Sequence, residues 1–206
     1  VIKFRGVKMD NYEKTKLLEI SYLKNILSFI KKQLEKDTLS LDDRKDSLIA
    51  SRRDMWENAP KSTNDFDKIP DMNNYLAEIN YQTQNYEQIS KRISKYNSML
   101  STPYFGRFDF KEDGYDETEK IYIGIHSLMD DDAMSMLVYD WRSPIAGMYY
   151  QFDLGRGSYE SPVGTLSGDI TLKRQYKIKD GKLKYFFDSS VEIKDEILQE
   201  VLSRNS

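Results

Sequence analysis

DMWENAPKSTNDFDKIPD, residues 54–71, lies between two heptad runs, one entering it and one leaving it. On the entering side Ile20, Leu23, Leu27, Ile30 and Leu34 are spaced as the a/d seam of a coiled coil, and the phase continues through Leu41, Leu48 and Met55. On the leaving side Met72, Tyr75, Ile79, Gln82, Tyr86, Ile89, Ile93, Tyr96 and Leu100 hold the same alternation with one polar slip at Gln82. Two helices joined by so short a connection must run antiparallel, so the pattern predicts a helical finger over residues 9–101 with its tip at 54–71. Pro60 and Pro70 stop helices, and Asn58, Ser62, Thr63 and Asn64 favour turns. Asp54, Glu57, Asp65, Asp67 and Asp71 outweigh Lys61 and Lys68, so the tip is acidic, with Trp56 and Phe66 on its flanks.

The entering helix carries a wider apolar stripe near its start, where Leu18, Tyr22, Ile26 and Phe29 flank the seam. That width predicts packing on something besides a partner helix. Ser40 and Asp43 resemble a capping box, yet the heptad phase crosses them unbroken, which favours one helix from about Asn11 to Trp56. Such a helix is about 70 Å long and the returning one about 45 Å. Asp37, Arg44, Ser51 and Gln82 occupy seam positions, so the distal finger is expected to be the less stable half. Val1–Lys8 reads differently: Arg5–Met9 back-translates to a ribosome-binding sequence ahead of a start codon, so the expectation is a translated leader with the native start at Met9.

After Thr102-Pro103 the periodicity changes to two, and residues 102–206 read as a small, mainly antiparallel β body ending in a helix. The expected strands are 104–110, 120–127, 136–141, 147–154, 157–160, 168–178 and 182–187, with a hairpin loop at 111–119. Asp180-Gly181 between alternating apolar runs is a hairpin signal. Ile193, Ile197, Leu198, Val201 and Leu202 give an amphipathic helix over 191–202, with Ser189 and Glu192 as its capping box. The whole is an α+β chain.

Composition narrows the function. A chain without cysteine has no disulfide or thiolate metal site, and its single histidine, His126, makes histidine metal clusters impossible. No apolar run approaches the roughly 18–20 residues of a membrane span, and no signal-peptide pattern opens the chain, which points to the cytoplasm. The net charge of −3 argues against a general nucleic-acid platform. No Walker A or dinucleotide fingerprint is present; Gly155-Arg156-Gly157 reads as a turn. His126 reads as a strand-end residue and Asp130-Asp131-Asp132 as a solvated turn. Tyr139-Asp140-Trp141-Arg142-Ser143-Pro144 reads as a strand end with a buried Trp141 and a structural Asp–Arg pair. Lys173-Arg174-Gln175 offers a weak basic patch for phosphates. The tip is the stronger candidate, because carboxylates on a long lever suit a deep, positively charged or metal-containing cavity of a partner.

STPYFGRFDF (101–110), IYIGIHSL (121–128), LVYDWRSPIAGMYY (137–150), ITLKRQYKIKDGKLKYFFD (170–188) and IKDEILQEVLSRNS (193–206) together resemble the N-terminal region of the HelD family. These are UvrD/Rep-like superfamily 1 ATPases of Gram-positive bacteria that bind and recycle RNA polymerase. Over residues 10–100 the resemblance is one of layout, a helical pattern with Trp56-Glu57 before an acidic loop. It marks Tyr104, Phe105, Gly106, Arg107, Tyr139, Asp140, Trp141, Arg142, Pro144, Lys173, Arg174 and Gln175 as family-motif residues of the body.

The resemblance implies a coiled coil entering the polymerase secondary channel, its acidic tip near the active-site magnesium, helping to release nucleic acid. The tip role would fall on Trp56, Glu57, Asp65, Asp67 and Asp71. It also implies that the chain ends before the P-loop, so that it is non-catalytic alone, needs no cofactor, and partners polymerase core and its own C-terminal motor; ATP and Mg²⁺ would belong to the full-length ATPase. Two other readings stand beside it. One is a nucleic-acid-binding arm of a superfamily 1 DNA helicase, using Arg52, Arg53, Lys91, Arg92, Lys95, Lys173 and Arg174; the other is a coiled-coil oligomerisation module.

Overall fold

The computed structural model describes the backbone of residues 2–59 and 69–189, and side chains over 11–59 and 70–189. The tip residues Asp65, Asp67 and Phe66 and the expected helix over 191–202 lie outside the described residues. Helix α1 is Ile2–Asn58 and α2 is Ile69–Ser101. No break occurs near residue 40: instead of capping a new helix, hydroxyls there bond back into the same one, Thr38 Oγ1 donating to the Leu34 carbonyl and Ser47 Oγ to that of Asp43. Two compact units result, one of Phe29–Asn97 and the other of Val1–Ser28 with Ser98–Ser206.

In the first unit the seam positions Ile30, Leu34, Asp37, Leu41, Arg44, Leu48, Ser51 and Met55 are all buried or half-buried. So are Met72, Tyr75, Ile79, Gln82, Tyr86, Ile89, Ile93 and Tyr96 on α2. Asp37 is buried and held by both Nε and Nη2 of Arg92. A carboxylate that would otherwise be costly inside a seam is thereby neutralised and hydrogen-bonded.

The second unit is built on a seven-stranded sheet: β1 Gly106–Glu112, β2 Glu119–Gly124, β3 Leu128–Asp130, β4 Ser135–Asp140, β5 Gly155–Ser161, β6 Gly164–Lys179 and β7 Lys182–Asp188. The order is β3-β4-β2-β1-β6-β5, with β7 also on β6, and all pairs are antiparallel except β2 with β4. β6 spans 16 residues because it serves two hairpins, its first half pairing β5 and its second half β7. The Asp180-Gly181 turn has positive φ at both residues (52° and 67°), the geometry of a two-residue hairpin, as the dipeptide predicts.

Two expectations are corrected here. Residues 147–154, read as a strand from their aromatics, mostly belong to helix α3, Pro144–Gln151; Pro144 occupies its first turn, where its missing N–H costs nothing. The short strand β3 was not expected. The third isoleucine of β2's alternation, Ile125, lies past the strand end and is 56% exposed. Tyr122 between the other two is buried, because β2 is covered on both faces. One face carries Phe108, Phe110, Ile121, Ile123 and Ile170 against Ala146 and Met148 of α3. The other meets the first turns of α1 described with side chains. Gly124 marks the close fit there: a Cβ would stand 2.4 Å from the Pro103 carbonyl oxygen.

Candidate functional site

Strand register sets up the buried half of the site. Arg107 of β1 pairs with Tyr122 of β2 and with Arg174 of β6, and Arg174 pairs with Asp188 of β7. Register partners share a face, so these four side chains form a row across four strands. α1 lays Glu19 onto that row. Its carboxylate, 3% exposed, accepts from Arg107 Nη1 at 2.7 Å and Arg174 Nη1 at 2.6 Å. It also accepts from the hydroxyls of Tyr176 at 2.9 Å and Tyr122 at 3.3 Å.

Each arginine spends its remaining nitrogens on a second carboxylate, Arg107 on Asp109 and Arg174 on Asp188. Burial, the largest single influence, disfavours both charged guanidiniums, but the bonds to Asp109 and Asp188 and the neighbouring acidic groups together outweigh it and their pKa values are raised. Tyr22 stacks on Tyr122 with ring centroids 4.0 Å apart and donates to the Leu137 carbonyl. Burial, first among several causes, raises the pKa of Tyr22, Tyr104, Tyr122 and Tyr176. The cluster is a clamp that fixes α1 on the sheet, and its groups are consumed in doing so.

That accounts for several motif residues. Tyr104 is fully buried in the aromatic cluster. Phe105 packs on the α3-side core, and its backbone bonds both Ile123 and Tyr176. Gly106 lies under the Tyr149 ring, which a Cβ would meet at 3.1 Å. Burial pushes the Tyr149 hydroxyl up to about 12. Tyr139 packs on the same core.

Asp140 and Arg142 form the expected pair, at 2.9 and 2.8 Å, and Arg142 holds the Asp140 carboxyl below the usual range. Trp141, expected to be buried, is 46% exposed: it follows the last residue of β4 and lies beyond the core. The phosphate-binding expectation for Lys173-Arg174-Gln175 is corrected for two of the three. Arg174 is buried in the clamp. Lys173 Nζ donates to the Phe152 carbonyl at 2.7 Å on the opposite face, where burial lowers its pKa. Gln175 is exposed. Arg92, the finger base held by Asp37, is likewise engaged.

Gly155-Arg156-Gly157 opens β5 rather than forming a free turn, and Arg156 reaches Asp113 with two bonds of 2.7 Å. Asp130 Oδ1 accepts from the backbone N–H groups of Asp132 and Ala133, a turn closed by its own side chain. Among the described residues no group of three or more His, Asp or Glu side chains is placed to hold a metal ion.

The tip lies in the other unit. Trp56 is 73% exposed and Glu57 is exposed. Asn58 Nδ2 donates to the Asp54 carbonyl and to the Tyr75 hydroxyl at 3.2 Å, linking the end of α1 to α2. Asp71 stands exposed in the first turn of α2, where free N–H groups favour a carboxylate. Sequence reading missed Glu19, Asp109, Asp188, Tyr122 and Tyr176. The available signal was Arg107 and Arg174 within strands buried on both faces, each of which demands a carboxylate.

The family model for the N-terminal domain of DNA helicase IV HelD matches residues 18–201. The chain belongs to the HelD N-terminal domain family. No curated protein matches. Among solved structures, Gfh1 of Thermus aquaticus aligns at 12% identity and a TM-score of 0.27, covering 71% of this chain and 92% of that one. GreA factor homolog 1 (Gfh1) of Thermus thermophilus aligns at 14% and 0.26, covering 68% and 93%. Similarity this low carries no argument about this HelD-family domain. No described helix is long and apolar enough to cross a membrane.

Proposed function

We propose that this HelD-family domain binds bacterial RNA polymerase core, inserting an acidic-tipped antiparallel coiled coil into the secondary channel to help release nucleic acid. The observation that carries the reading is the family match across residues 18–201, which takes in both helices, the acidic connection and the β body together. The cross-helix links Asp37–Arg92 and Asn58–Tyr75 support the antiparallel hairpin, since the numbering rises on one helix as it falls on the other. Exposed Trp56, Glu57 and Asp71 frame the connection that holds Asp65 and Asp67. The domain acts without catalysis of its own, in the cytoplasm, beside a C-terminal motor that uses ATP and Mg²⁺.

The test is co-elution of the chain with core RNA polymerase from the same source, comparing the unaltered tip with Asp65→Ser/Asp67→Ser. Binding of both, with only the unaltered tip inhibiting elongation, assigns docking to shaft and body and the active role to the carboxylates. Failure of both to bind even at low salt would sink the reading for this chain.

A further inference from the structure

β5 is an edge of the sheet, and its outer side is unpaired. Its register with β6 runs without a bulge from Gly155↔Ile170 to Ser161↔Gly164, so the strand is regular along its whole length. Edges that resist pairing carry a lysine, a proline or a bulge, and Gly155–Ser161 has none of these. Among the described residues, no backbone hydrogen bond of this strand leads anywhere but to β6.

Which residues face outward follows from β6. The N–H of Asp113, next after β1, donates to the Ser167 carbonyl, so Ser167 turns its backbone towards β1. Bonded and non-bonded pairs alternate along an antiparallel ladder; Ser158, the register partner of Ser167, therefore turns its own N–H and C=O outward. Arg156 and Glu160, two residues to either side, do the same, and the three side chains share one face. Both charged residues are exposed. A two-fold axis at Ser158 sets Arg156 against Glu160 of a second copy, and Glu160 against its Arg156. The same register joins all the outward groups in about six backbone hydrogen bonds. Axes at Gly157 or Tyr159 also match those groups but set Arg156 or Glu160 against Ser158, so charge selects the axis at Ser158. Arg156 bonds Asp113 through Nη1 and Nη2, and Thr165 donates to Oε1 of Glu160, which leaves Nε and Oε2 for the new partner.

We propose that two copies of this domain associate through β5, pairing antiparallel about Ser158 so that their sheets join into one. Nothing in this depends on the polymerase reading. The contact is short, below the roughly 1,000 Å² of a stable interface, so the dimer is weak and concentration-dependent.

Sedimentation of the full chain from about 10 µM to about 1 mM, the weak end of measurable affinity, should show a reversible monomer–dimer equilibrium. Ser158→Pro removes an outward N–H without touching a β5–β6 bond, and should weaken the dimer about tenfold or more at an unchanged melting temperature. Arg156→Glu and Glu160→Arg each set like charges opposite one another, so each variant alone should stay monomeric over that range. Their equimolar mixture should pair as a heterodimer, with every acid again opposite a base. A chain still monomeric at about 1 mM, a dimer indifferent to all three substitutions, or a mixture that associates no better than its components each overturns the proposal.

Discussion

Replacing Glu19 with Ala removes the acceptor shared by Arg107, Arg174, Tyr122 and Tyr176. Breaking a buried ion pair costs about 3–5 kcal/mol, largely through the charge left behind. Here each arginine keeps a second carboxylate, Asp109 or Asp188, which argues for the lower part of that range. Against this, the two guanidiniums bond one oxygen at 2.7 and 2.6 Å and so lie within about 5 Å of each other. At an effective dielectric of about 20 their repulsion is about 3 kcal/mol once the carboxylate is gone. The expected loss is therefore about 3–4 kcal/mol for Glu19→Ala and about 2 kcal/mol for Glu19→Gln, which keeps one acceptor oxygen.

Urea unfolding in a Trp56→Phe background follows Trp141 alone, a reporter within the β unit. With a slope near 2 kcal/mol per molar urea, the midpoint should fall by about 1.5–2 M for Glu19→Ala. Glu13→Ala, exposed on the same helix, should leave it unchanged. A Glu19→Ala midpoint within about 0.3 M of the parent would refute the clamp as the anchor of α1.

Other outcomes follow from the same structure. Tyr22, Tyr104, Tyr122 and Tyr176 have raised pKa values, so their neutral forms favour the fold; stability is intact below the ordinary tyrosine value of about 10 and is lost above it, by up to about 1.4 kcal/mol per pH unit for each. Tyrosinate absorbance should then appear together with unfolding, and gradual ionisation of a folded chain would contradict this. Gly124→Ala should cost about 1–3 kcal/mol by thermal melting, since its Cβ would press on backbone oxygen. Asp37→Leu with Arg92→Met should raise the melting temperature of the helical unit, apolar side chains replacing both partners of the ion pair for a gain of about 1–2 kcal/mol, whereas Asp37→Leu alone should lower it. Met148→Ala should cost about 2–4 kcal/mol in the α3-side core, whereas Trp141→Ala should cost far less; equal effects would mean that Trp141 is packed.

The two long helices were legible because apolar residues recur at helical spacing, and the α1 positions 30, 34, 37, 41, 44, 48, 51 and 55 of that period are buried or half-buried. The Asp180-Gly181 hairpin was legible for a similar reason, its dihedrals demanding particular residues. α3 was not, since tyrosines and phenylalanine favour strands locally, and the helix-starting role of Pro144 shows only against a neighbouring core. Glu19 was hidden because an acid beside an apolar stripe looks solvated. Its burial depends on arginines 88 and 155 residues away, whose meeting is a fact of sheet register. Of the tip residues, Trp56, Glu57 and Asp71 are exposed.

The separation between Glu19 and Arg174 also has a temporal side. When Glu19 is added to the growing chain, the arginine of β6 that will hold it is still 155 residues from synthesis. At about 5–20 residues per second that is a wait of roughly 8–30 s. Throughout it the first helix carries an unmatched acid amid apolar side chains and has no body to rest on. The stretch of α1 around Glu19 is therefore seated only once β6 is made, a late event in the birth of this domain.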